Sequence, residues 1–250
     1  MAGPQSDIAD WLRDIPIITR YWFLSSIAVP ILGKIGLLPP VYLILSWDAI
    51  TKFQIWRFIT SFIFYPINPM TGFHYLINLF FLYSYSVRLE TGTFEARPSD
   101  YLFMLIIFAV CLIVVGLLLP ISLLMDPLIL ATIYVFCQLN PEMIVTFFFG
   151  IQFKAIYLPW ILALFNFIIS GQFIMELLGI VVGHIYFFLK FKYPVEFGGP
   201  DYLQTPQFIQ NLMPNNRMLR GGFGRAPTRQ EEARGNWNPF QGQGARLGDD

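Results

Sequence analysis

The chain has two histidines, and one of them, His184, lies in ELLGIVVGHIYFFL, Glu176 to Leu189, a stretch apolar enough to cross a bilayer. An imidazole there is either the base of a dry active site or a hydrogen-bonded packing residue. The first role needs a nucleophile within hydrogen-bond reach and donors for the charge that develops in the reaction. His184 follows directly on Gly179-x-x-x-Gly183, a pair one helical turn apart that lets a neighbouring backbone approach closely, with Gly171 nearby adding room. The only cysteines, Cys111 and Cys137, both sit in apolar runs and read as small hydrophobes. They form no disulfide framework and, taken with His74, no metal-ligand spacing. No metal, no cofactor and no catalytic residue is expected.

Whatever positions these residues is embedded in lipid. Of 250 residues, 56 % are hydrophobic and 13 % charged, against roughly 45–50 % and 25 % in average globular chains. Mean hydropathy is +0.57 even with a polar tail included. The net charge is zero and no basic block is dense enough for nucleic acid. The opening MAGPQSDIADWLRDIPIITR carries acids where a secretory leader carries positive charge, so the first span is expected to act as an uncleaved insertion signal.

Six apolar stretches are candidate spans: Tyr21–Leu38, Gly72–Val87, Tyr101–Leu119, Ile121–Leu139, Ala155–Ser170 and Phe173–Leu189. Several fall at or below the roughly 17 residues that a helix needs to cross the hydrocarbon. Asp126-Pro127 interrupts the fourth and suggests that its helix begins there. Between the first two spans, Ser46 to Gly72 is aromatic and broken by Pro66 and Pro69, as befits a loop lying in the membrane interface. Asn78, Ser84, Thr132, Gln138, Asn166 and Glu176 are polar positions inside spans and should face the bundle or a hydrated path. In RLETGTFEARPSD, Arg88, Glu90, Glu95 and Arg97 read as solvated charges.

Six spans put both termini on one side. That side holds Arg13, Arg20, Arg88, Arg97, Lys154, Lys190 and Lys192 besides the tail, while the other holds Lys34, Lys52 and Arg57. The positive-inside rule makes both ends cytosolic. The expected organisation is an N-terminal cytosolic or interfacial segment, 1–20, a six-helix membrane domain, 21–193, and a cytosolic tail, 194–250. The tail's Gly-, Asn-, Gln- and Arg-rich composition offers little to bury and predicts disorder.

Trp56-Arg57 in a long loop after the first span, and Gly179-x-x-x-Gly183 in the sixth of six short helices, resemble the rhomboid fold. Longer strings, ITRYW, FQIWRFIT, RLETGTFEARPSDYLFML, FKAIYLPW, GHIYFFLKFKYP and TPQF, are similar to the Derlin family from about Asp7 to Phe208. The resemblance implies an all-α, rhomboid-like six-helix pseudoprotease of the endoplasmic reticulum membrane. Such proteins help misfolded clients reach the cytosol, alongside membrane ubiquitin ligases and the valosin-containing AAA ATPase, as homo- or hetero-oligomers. Active rhomboids carry Gly-x-Ser-Gly on the fourth span and a histidine ahead of the paired glycines. The chain has no such string, the fourth stretch's only serine is Ser122, and His184 follows Gly183. His184 is therefore read as structural. Arg57 is expected to pin its loop to backbone carbonyls.

In the tail, FQGQGARLG resembles the Phe-x-Gly-x-Gly-x-x-Leu box that binds the N-terminal domain of that ATPase. Phe240, Gly242, Gly244 and Leu247 fall on its positions and Arg246 adds a charge contact. The alternatives to a non-catalytic translocation factor are an intramembrane serine protease and a small-solute channel. The missing serine motif counts against the first; the lack of a paired inverted repeat counts against the second.

Overall fold

Proline and glycine punctuation decides where the helices start and stop. The computed structural model describes residues 10–47, 51–119, 121–147, 150–171 and 173–213. Six long helices dominate it: α1 Ile17–Lys34, α2 Gly72–Arg88, α3 Pro98–Leu118, α4 Met125–Leu139, α5 Leu158–Ser170 and α6 Phe173–Phe187. Pro98 and Pro159 occupy the first turns of α3 and α5, where a missing N–H costs nothing. Gly171, at φ 72°, ends α5 in the left-handed conformation that glycine adopts freely. α6 continues through a π-turn, Phe188–Lys192, into a further helical turn that ends at Glu196.

α4 is the axis of the bundle. It packs on α2, α3, α5 and most extensively on α6. From Met125 to Cys137 every residue but Asp126 is buried, so it needs no polar face. The other helices turn apolar residues outward; on α3 these include Ile106, Val110, Val114 and Leu118, one turn apart. Pro98–Leu118 and the continuous Phe173–Glu196 are long and apolar enough to cross a membrane. A two-stranded antiparallel hairpin, β1 Ile144–Thr146 and β2 Gln152–Lys154, connects α4 to α5, a small β element in a chain expected to be wholly helical.

Three boundaries bear on the sequence reading. The fourth helix begins at Met125, where Asp126-Pro127 suggested, and not at the Ile121 that opens the apolar stretch. The first begins at Ile17, four residues before Tyr21, because its N-terminus is capped from a distance. The Glu90 carboxylate accepts from the Ile18 N–H at 3.0 Å, the Thr19 N–H at 2.8 Å and the Thr19 hydroxyl at 2.7 Å. Glu90 is 7 % exposed. It is thus no solvated charge but the acceptor for donors that a helix start leaves open, with the helix dipole favouring its negative charge. Hydroxyls extend the link, Thr19 meeting Ser86 at 2.7 Å and Ser86 meeting Tyr101 at 2.5 Å, so that α1, α2 and α3 are tied together. Arg88 lies over the Tyr85 ring, and Arg97 pairs with Asp100 at 3.7 Å. Replacing Glu90 by Ala leaves the Ile18 and Thr19 N–H groups without their acceptor and should cost about 2–4 kcal/mol. Tryptophan-fluorescence melting of the purified protein measures it; an unchanged midpoint would refute the capping role.

The third boundary is the start of the tail. Residues beyond 193 remain packed on the bundle: Lys190 Nζ donates to Asp201 at 2.7 Å and to the Leu203 carbonyl at 2.6 Å. Thr205 donates to Asp100 at 2.6 Å, and a short helix, α7 Gln207–Leu212, buries Ile209. The described residues of the compact unit accordingly run to Met213. The ATPase-box positions Phe240, Gly242, Gly244, Arg246 and Leu247 lie outside the described residues.

Candidate functional site

Gly179 and Gly183 face α4. A Cβ built on Gly179 would stand 2.6 Å from the Pro127 carbonyl oxygen, and one on Gly183 2.9 Å from that of Ala131. α4 and α6 therefore meet backbone to backbone, which is what small residues one turn apart permit. Gly171 takes no part in this contact; a Cβ there would meet nothing within 4 Å, and its service is the turn.

Trp56 and Arg57 organise the loop that follows α1. Arg57 opens a single helical turn, Arg57–Thr60, and is 7 % exposed, which is not the position of a snorkelling side chain. Its Nη1 donates to the Ile44 carbonyl and to Ser46 Oγ, both at 3.2 Å. Trp56 Nε1 donates to the Tyr42 carbonyl at 3.3 Å and Thr60 to that of Leu43 at 2.9 Å. One short turn thus holds the strip Tyr42–Ser46.

The close approach of α4 and α6 has a second consequence. The first turns of α2, α4 and α6 carry His74, Asp126 and Glu176, and one ligand-type atom from each lies within 4.8 Å of the others. Each of the three is held by a different neighbour. His74 Nδ1 is 2.6 Å from the Tyr65 hydroxyl. Asn78, one turn after His74 on α2, donates to Asp126 Oδ1 at 2.7 Å. Asn166 of α5 donates to Glu176 Oε1 at 2.7 Å. Burial pushes the Tyr65 phenol above its usual range, so it stays an O–H. Beside His74 and Asp126 opens a cavity of about 430 Å³, also lined by Tyr65, Thr71 and Ser122. Sequence reasoning named Asn78, Asn166 and Glu176 only as bundle-facing polar positions and did not join the trio. The signal available was an acid in the first turn of two helices that run in the same direction, with a histidine in the first turn of a third.

His184 belongs to none of this. It lies on an exposed face of α6, with Nδ1 2.7 Å from the Tyr134 hydroxyl and the two rings edge to face at 5.8 Å. A phenol holds the imidazole, and the contact crosses the same α4–α6 seam.

A model of the Der1-like family matches residues 15–207. Derlin-1 of Homo sapiens is 52 % identical over 253 residues, an alignment covering 98 % of this chain and 99 % of that protein. Derlin-1 of Caenorhabditis elegans is 43 % identical over 244 residues, with 97 % and 99 % covered. A probable derlin-1 homolog of Dictyostelium discoideum is 34 % identical over 250 residues, with 96 % and 99 % covered.

Proposed function

The chain belongs to the Der1-like family, and from that membership we propose a non-catalytic component of endoplasmic reticulum-associated degradation. It assists misfolded proteins from the endoplasmic reticulum into the cytosol while breaking no bond in them. The bundle is a rhomboid-like pseudoprotease of six spans with both termini cytosolic. Membrane ubiquitin ligases and further copies or relatives of the chain are its partners in the membrane, and the tail recruits the valosin-containing AAA ATPase.

The observation that carries this reading is the length of two of the six helices, α4 at the centre and α5 at the lipid-facing side. α4 has 15 residues and α5 has 13, which at about 1.5 Å per residue is roughly 22 Å and 20 Å. The hydrocarbon of an endoplasmic reticulum bilayer is about 27 Å thick. α3 and the continued α6 are long enough for that thickness, but beside α5, which turns Trp160, Leu164 and Ile168 outward, lipid is drawn thinner, and a thinned bilayer next to buried polar groups presents a polypeptide with a shorter apolar path.

A chase of a misfolded lumenal client in cells lacking the chain tests it. Wild type and His184→Gln, matched in abundance, should restore clearance equally, with the client leaving the membrane at full length. A client fragment that disappears with His184→Gln would establish a protease instead, and failure of wild type to restore clearance would end the proposal.

A further inference from the structure

Three side chains at the head of the bundle each keep one atom in reserve. Glu176 and His74 are each 2 % exposed. Glu176 spends Oε1 on Asn166 and His74 spends Nδ1 on Tyr65, while Glu176 Oε2 and His74 Nε2 have no hydrogen-bond partner among the described residues. Asp126 commits Oδ1 to Asn78. Two unpaired acceptors buried together are costly unless something positive lies between them. When the Nδ1 hydrogen is given to Tyr65, the His74 Nε2 lone pair points free. An imidazole locked by a partner on its other nitrogen, with carboxylates each held by an outer amide, is the arrangement by which proteins orient metal ligands.

From this convergence the geometry points to a divalent transition-metal site formed by His74 Nε2 with the carboxylates of Asp126 and Glu176, of the class that takes Zn²⁺. One nitrogen and two carboxylate oxygens suit zinc or manganese better than calcium or magnesium, which favour oxygen alone. Tetrahedral ligands about 2.0–2.2 Å from zinc stand roughly 3.3–3.6 Å apart. The observed separations, all within 4.8 Å, close to that by side-chain rotation. The cavity at His74 and Asp126 supplies an entry path and room for a water as fourth ligand. The ion joins α2, α4 and α6 and balances the two carboxylates in a region that charge otherwise avoids. The site is independent of the degradation role, and either can fail without the other.

The test uses the purified full chain in detergent micelles, equilibrated with ZnCl₂, desalted and assayed for metal by mass spectrometry, with calorimetry for affinity. Wild type should retain about one zinc per chain. His74→Gln, Asp126→Asn and Glu176→Gln keep shape and should each lose retention. Tyr65→Phe leaves all three ligands but removes the group that fixes the imidazole, and should weaken binding about 10- to 100-fold. That variant carries the test if a ligand substitution fails to fold. A wild-type chain that retains no zinc overturns the proposal. So does equal retention by a His74→Gln/Glu176→Gln chain, which would place the ion elsewhere, or binding of CaCl₂ in preference to ZnCl₂.

Discussion

A chain carrying Gly179→Leu should lose roughly 3 kcal/mol or more and fail to accumulate as a folded bundle, and even Gly179→Ala should melt below wild type. The alanine result is the diagnostic one, because it runs against helix propensity. Inside an ordinary helix, replacing glycine by alanine gains about 0.8–1 kcal/mol. Here the added Cβ would stand 2.6 Å from the Pro127 carbonyl oxygen and 3.0 Å from its Cα. Neither atom belongs to a side chain that can rotate away, so α4 and α6 must separate, and overpacking of that kind costs about 1–3 kcal/mol or more. Contact therefore outweighs propensity. Gly92→Ala is the control, since a Cβ there meets nothing within 4 Å. Thermal midpoints by tryptophan fluorescence, with client clearance at matched abundance, decide the matter. Gly179→Ala as stable as wild type, with Gly92→Ala alongside it, would mean that the glycines do not set the seam.

The other large effect belongs to the tail. A peptide spanning Asn236–Asp250 should bind the N-terminal domain of the valosin-containing AAA ATPase, and Phe240→Ala with Leu247→Ala should weaken it at least about 100-fold. In short peptide boxes a few apolar anchors carry most of the energy. Gly242 and Gly244 would let the backbone between them lie close to the partner surface. Truncating two anchors at about 2 kcal/mol each exceeds two decades in affinity. Calorimetry with the isolated domain measures it; a double variant that binds like wild type, or a wild-type peptide that does not bind, removes this route of motor recruitment. Since an extended peptide orders only on docking, the wild-type affinity itself should be weak to moderate.

Local chemistry was readable in the sequence wherever the cause lies within a turn or two of the effect. Asp126-Pro127 announces a helix start because proline fits a first turn and an acid favours the positive end of the dipole, and α4 begins at Met125. Nothing near Glu90 in the chain shows what it caps. Its partners Ile18 and Thr19 are 72 and 71 positions away, so in sequence the carboxylate looks solvated and the start of α1 at Ile17 carries no local signal. The packed segment beyond Tyr193 was missed likewise, its anchors being Lys190 with Asp201 and Thr205 with Asp100.

By itself the sequence determined that the chain is a helical protein of the Der1-like family, with composition, proline and glycine positions and matching strings each sufficient for its part. Only the tertiary structure decided what its isolated polar residues are for. His74, Asp126 and Glu176 each sit singly in an apolar stretch, where periodicity says no more than that a polar group faces inward. Which polar groups share that interior depends on the crossing of α4 over α6, and the crossing depends on two glycines that admit a backbone where any other residue would hold it off.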